Sequence, residues 1–145
     1  MNESTTIKQS GSIIVSIIIA VRFVAAFLFL HLFVNDLAAW ALFTFLIAVF
    51  TDALDGHVAR MLGGVFPLFL GPYSDAAADF SLILAAFSAF VIKGLYPFWI
   101  LPIIIAMFAQ FILTSRLAQP IYDPIGKYYG VFLFGAVGVT LVLPY

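Results

Sequence analysis

Apolar residues run almost unbroken from Ile13 to Val34, and four further apolar runs follow, separated by short polar or glycine- and proline-bearing breaks. A span needs about 20 predominantly apolar residues to cross a bilayer, so Ile13–Val34 predicts a first membrane helix. Asn35-Asp36 predicts a tight turn with Asp36 as N-cap of a second helix, which starts at Leu37 and stays apolar to Phe50. Gly63-Gly64, Pro67 and Gly71-Pro72 predict a loop, and a third helix is expected from Tyr73 to Ile92. Lys93-Gly94 and Pro97 mark the next turn. A fourth helix is expected over Phe98–Leu113, a polar stretch over Thr114–Lys127, and a fifth helix over Tyr128–Leu143. Met1–Ser12 reads as a polar lead-in. The first run continues well past signal-peptide length with Arg22 in its middle and no small-residue cleavage site, so it reads as a retained helix.

Composition strengthens this picture. The 145 residues are 65% hydrophobic and 9% charged, against about 45–50% and about 25% in soluble domains. The expected fold class is therefore an all-α integral membrane protein, a polytopic bundle of about five transmembrane helices in one domain over residues 1–145. A net charge of −1 offers no basic surface for nucleic acid, and the lack of cysteine excludes disulfides and thiolate chemistry. Five spans place Lys8, Arg60, Arg116 and Lys127 on one side and Lys93 on the other, so the positive-inside rule puts the N-terminus in the cytoplasm.

The acidic residues change the picture from membrane protein to candidate enzyme. Asp52, Asp55, Asp75 and Asp79 are four of the seven acids in the chain and fall at the cytoplasmic ends of the second and third helices. A carboxylate at the bilayer centre costs about 2.5–3.5 kcal/mol on insertion scales, so such a cluster needs compensation. Spacings of three and four residues put each pair on one helix face. The two helices are consecutive and antiparallel, which predicts convergence of the four carboxylates between them. The rise within each pair, about 4.5–6 Å, suits one hard divalent cation or two about 3.5–4 Å apart. Gly56 and Ala59 leave room for a ligand to approach the backbone, and Arg60 presents a planar fork suited to phosphate. Together these describe a metal site shaped for pyrophosphate.

The run Asp52-Ala-Leu-Asp55-Gly56-His-Val-Ala59-Arg60, followed by Gly71-Pro-Tyr-Ser-Asp75-Ala-Ala-Ala-Asp79, resembles the signature of the CDP-alcohol phosphatidyltransferases. All eight defining positions are present, while the spacer from Arg60 to Gly71 is about two residues longer than the family usually has. Arg22 and the pair Gly126-Lys127 resemble further family features, although members usually have six spanning helices and a longer chain. The resemblance implies that Asp52, Asp55, Asp75 and Asp79 hold Mg²⁺ or Mn²⁺, as one or two ions, and that Asp79 is the general base. It implies nucleotide-facing roles for Asp52, Gly56, Ala59, Arg60 and Gly71, and acceptor-binding roles for Arg22, Arg116 and Lys127. The implied reaction moves a phosphatidyl-type group from a CDP-linked lipid to an alcohol, with glycerol 3-phosphate the first choice and inositol phosphate, inositol or serine the alternatives. The implied assembly is a homodimer.

Blander readings compete at individual positions. Asp75 at a helix start suits the helix dipole alone. Arg22 either snorkels or faces an active cavity, and its mid-helix depth favours the cavity. Arg116 and Lys127 serve as topology-setting charges on the simpler view, Asp123 as a turn residue, His57 as a surface histidine, and His31 lies toward the opposite side. Ala76-Ala77-Ala78 read as small residues permitting close helix packing, and Gly130, Gly135 and Gly138 as doing the same within the chain or between protomers. The phenylalanines read as lipid-facing and packing bulk, with tryptophans and tyrosines as interface anchors. Two other functions were weighed: a cation or proton transporter using the aspartates as a relay, and a structural subunit with a degenerate site.

Overall fold

The computed structural model describes residues 3–61, 74–117 and 124–143. These residues form five helices: α1 (Glu3–Val34), α2 (Ala38–Met61), α3 (Ser74–Ile92), α4 (Ile100–Leu117) and α5 (Pro124–Val142). The expected number and order of helices hold, and three ends move by about a turn or more. The lead-in to α1 is helical from Glu3, α4 continues through Thr114 and Arg116, and α5 begins at Pro124. Hydropathy marks where a segment leaves the apolar phase, whereas the backbone hydrogen-bond ladder continues through helix-tolerant polar residues. Pro124 suits its place, because the first helical N–H has no partner within the helix.

The turn after α1 corrects a sequence expectation. Asp36 is in the left-handed region at φ 63°, its N–H donates to the Phe33 carbonyl at 3.2 Å, and the Leu37 N–H donates to the Leu32 carbonyl at 2.9 Å. That bond pair closes the end of α1, so Asp36 terminates one helix instead of capping the next. The Leu37 carbonyl accepts the first bond of α2, from Ala41 at 3.0 Å. Gly94 repeats the device after α3, with φ 75° and bonds from Gly94 N to Val91 O and from Leu95 N to Phe90 O. Lys93 then donates to Asp36 Oδ1 at 2.6 Å, tying the two helix ends together.

Helix α1 is the hub. Both α2 and α3 pack along it, while α4 and α5 join through α3, with α5 also touching α2. Among the described residues, α2 and α3 make no comparable contact with each other. The core is aromatic: Phe29, Phe33, Phe45, Phe87 and Phe90 are buried together, with Phe33 and Phe90 edge to face at a centroid separation of 5.0 Å. Each such pair adds about 0.5–1.5 kcal/mol beyond its area burial. Tyr96 packs on Phe87 and Phe90, and its hydroxyl lies 3.0 Å from Thr140 Oγ1, fastening α5 to the end of α3. Thr44, Thr51, Ser81 and Thr140 each donate to the carbonyl four residues back, which satisfies hydroxyls in apolar surroundings.

The outside of the bundle is as apolar as its core. Val24, Phe27, Trp40, Phe43, Phe50, Phe98, Val131 and Phe132 are all exposed. Monomeric soluble proteins rarely leave more than a few hundred Å² of contiguous apolar surface in water, so lipid is the solvent this surface fits. Trp40 and Trp99 stand exposed at the Asp36–Lys93 end, and Tyr128 and Tyr129 toward the other, as interface anchors do. Among the described residues, Ser16–Val34 alone is both long and apolar enough to cross a membrane by itself. The apolar parts of the other helices are Ala38–Asp52, Ala76–Ile92, Ile100–Leu113 and Tyr128–Val142. In α2 and α3 that apolar part is cut short on the side where the aspartates lie.

Of the small residues, Ala78 is completely buried against Ile19 of α1, consistent with close helix approach. At Gly130, Gly135 and Gly138 an added Cβ meets nothing within 4 Å among the described residues.

Candidate active site

At about 1.5 Å rise per residue, Arg22, Asp52 and Asp79 each lie roughly 20 Å from the end of the bundle that carries Asp36 and Lys93. They occupy one level on three helices: Arg22 on α1, Asp52 on α2 and Asp79 on α3. Arg22 is 1% exposed, and among the described residues it is the only buried polar or charged one. Its Nη2 donates to Asp79 Oδ1 at 2.7 Å and also to Asp52 Oδ1. The arginine lies inside, while the Asp52 and Asp79 side chains are 40% and 29% exposed.

The placement follows from the helices. A guanidinium in mid-helix cannot face lipid without great cost, so α1 turns it inward, and only opposite charge from the neighbouring helices makes that position tenable. Ile19, one turn away on the same face, fills the gap against Ala78, next to Asp79. Asp52 and Asp79 come from different neighbours of α1, and Arg22 lies between them. Helix α1 thus supplies a third wall at this level, beside α2 and α3.

Asp55 stands three residues beyond Asp52 on α2, and Asp75 four residues before Asp79 on α3, so both backbones continue the two faces already described. Gly56, Ala59 and Arg60 lie in the last turns of α2, Arg116 in the last turn of α4 and Lys127 in the first turn of α5. The side chains of Asp55, Asp75, His57, Arg60, Arg116 and Lys127 lie outside the described residues, as do Gly71 and Asp123 altogether. Among the described residues there is no group of three or more metal-ligating side chains. The donor chemistry present still fits a hard cation. Two carboxylates share one arginine, which leaves negative charge in excess, and Asp55 and Asp75 stand one helical turn away along the α2 and α3 backbones. His31 is exposed in the last turn of α1, far from this level.

Sequence reasoning placed Arg22 in an active cavity but did not foresee its partners. The available signal was the depth of Arg22 in an apolar helix, since an intramembrane charge calls for a named counter-charge.

Comparison with known proteins bears on the same residues. Neither curated proteins nor solved structures returned a match. The model of the CDP-alcohol phosphatidyltransferase family matches residues 12–144, nearly the whole chain, including α2, α3 and the aspartates on them. The chain belongs to the CDP-alcohol phosphatidyltransferase family and is a transferase of phosphatidyl groups from CDP-alcohols.

Proposed function

We propose that this enzyme moves a phosphatidyl-type group from a CDP-linked lipid to glycerol 3-phosphate at the Asp52–Asp79 site, with Mg²⁺ or Mn²⁺ and release of CMP. One observation carries the reading: the first and last aspartates of the signature, from two helices, meet on a single buried arginine. In the proposed reaction the acceptor hydroxyl oxygen attacks the lipid-bearing phosphorus. The bond from that phosphorus to the bridging oxygen breaks, and CMP leaves with the electron pair. Asp79 takes the hydroxyl proton. Asp52, Asp55, Asp75 and Asp79 would hold the divalent metal, which when bound neutralises charge on the pyrophosphate and the leaving group. Gly56, Ala59 and Gly71 let the nucleotide approach the backbone, and Arg60 pairs with its phosphate. Arg116 and Lys127, at the site ends of α4 and α5, supply positive charge for a phosphorylated acceptor, which favours glycerol 3-phosphate or inositol phosphate over inositol or serine.

The membrane frame belongs to the same proposal. The site end faces the cytoplasm, where the positive-inside rule puts Lys8, Arg60, Arg116 and Lys127. The open glycine face of α5 is a surface for a second copy, and crosslinking in detergent reads whether a homodimer forms. A transporter reading is disfavoured by the layer between the two charged levels. Phe29, Phe33 and Phe90 fill it, and no described acid or base is buried there to continue a relay.

The test is a screen of CMP release by purified protein in lipid vesicles, with CDP-diacylglycerol or its ether analogue, Mn²⁺, and each candidate alcohol in turn. Metal-dependent release is expected, fastest with glycerol 3-phosphate. Release with none of the alcohols, from protein of full helical content, would overturn the reading.

A further inference from the structure

Arg22 has a further role that follows from its burial. A residue that binds the acceptor must be reachable by it, and Arg22 is 1% exposed, enclosed by α1, α2 and α3. Among the groups it reaches are two carboxylates: Nη2 donates to Oδ1 of both Asp52 and Asp79. Those two aspartates belong to helices that pack on α1 and, among the described residues, make no comparable contact with each other. Helix α1 thus joins the two among the described residues, and Arg22 is an α1 side chain bonded to both aspartates.

We propose that Arg22 is a positioning residue for the transfer reaction, an internal counter-charge that fixes Asp52 and Asp79 against α1 and tempers the affinity of the cluster for its divalent cation. This rests on the metal-dependent reading of the site given above. Two consequences separate the role from acceptor binding. The guanidinium charge repels a cation held by the same carboxylates, so removing it tightens metal binding. Loss of the fixed geometry lowers the rate of the bound complex, because outer partners of metal-ligating groups typically contribute about 10–100-fold to affinity or activity. An acceptor ligand would instead act on the acceptor KM and leave metal affinity alone.

Lysine separates charge from geometry. Both contacts run through one nitrogen, so an ammonium can supply the charge, but its shorter stem cannot meet both carboxylates from an unchanged backbone. Arg22→Lys should keep near wild-type metal affinity and regain part of the lost rate. Arg22→Met should lose both charge and geometry.

The experiment measures Mn²⁺ binding by the paramagnetic resonance signal of free Mn²⁺, on wild type, Arg22→Lys and Arg22→Met in detergent, and pairs it with kcat and acceptor KM from CMP release. The expected result is a severalfold lower Mn²⁺ dissociation constant in Arg22→Met and a kcat lower by about 10–100-fold. Acceptor KM should be unchanged, and kcat in Arg22→Lys should lie between the other two. If Arg22→Met does not fold, Arg22→Lys decides alone, by reduced kcat at unchanged acceptor KM. A raised acceptor KM with unchanged Mn²⁺ affinity overturns the positioning role and leaves the metal site standing. Wild type that binds no Mn²⁺ overturns both.

Discussion

Among the described residues, ion pairs fasten the helices at two levels of the bundle, and only one level is built into the interior. Lys93 and Asp36 tie the turn after α3 to the turn after α1, with side chains 27% and 87% exposed. Arg22 ties α1 to α2 and α3 about 20 Å away, with its own side chain 2% exposed. The chemistry is alike and the consequences are not. An exposed pair contributes about 0–1 kcal/mol, because water and salt compete for both charges. A buried pair stripped of one partner costs about 3–5 kcal/mol, because the other charge is left where water cannot reach it. Between these levels lies the phenylalanine layer, which supplies packing without polar groups. Among the described residues the bundle thus has a fastening end, a dry middle and a charged level that gathers Arg22, Asp52 and Asp79.

Metal removal sharpens this division most. Chelation of divalent ions should reduce CMP release to background, and added Mn²⁺ or Mg²⁺ should restore it, with helical content by circular dichroism unchanged. Persisting release under chelation would detach the aspartates from the reaction.

Next in size is a change in the dry middle. Phe90→Ala empties a fully buried site contacted by Phe29, Phe33, Phe87 and Tyr96. Phenylalanine-to-alanine changes cost about 3–5 kcal/mol in soluble cores. Lipid offers an apolar alternative to the core, so about 3 kcal/mol is expected here. Thermal unfolding in detergent should show the loss, while kcat at low temperature should change little. A large fall in kcat without loss of stability would mean that the middle and the charged end are not separable.

Gly94→Ala is smaller. An added Cβ meets nothing within 4 Å, so the cost is that of the φ 75° backbone, roughly 1–2 kcal/mol. The smallest effect belongs to Lys93→Met, about 0–1 kcal/mol of stability and no change in turnover. A loss of activity in Lys93→Met would show that the fastening end communicates with the site.

What the sequence made legible was the transferase family and the number of helices. The spacing of Asp52, Asp55, Asp75 and Asp79 is local, and a helix converts such spacing directly into a shared face. That α2 and α3 both pack on α1 was not legible, because chain order suggests that α2 and α3 are neighbours. The residues between Met61 and Ser74 could reach about 40 Å if extended, more than two interhelical distances of about 8–10 Å. Sequence proximity therefore does not force α2 and α3 together. The short link over residues 35–37 does force α1 and α2 together, and that neighbourhood is the one observed. Asp36 misled for a related reason: the residue types that cap a helix start also tolerate the left-handed conformation that ends one.

The central claim is that the carboxylates gathered at Arg22 carry out the transfer, with Asp79 receiving the acceptor's proton. Its most direct test is CMP release by Asp79→Asn beside wild type in the same vesicles, with Mn²⁺ and the best acceptor from the screen. Loss of a general base predicts turnover lower by about 10²–10⁴-fold in protein of unchanged helical content. Wild-type turnover in Asp79→Asn would contradict the account.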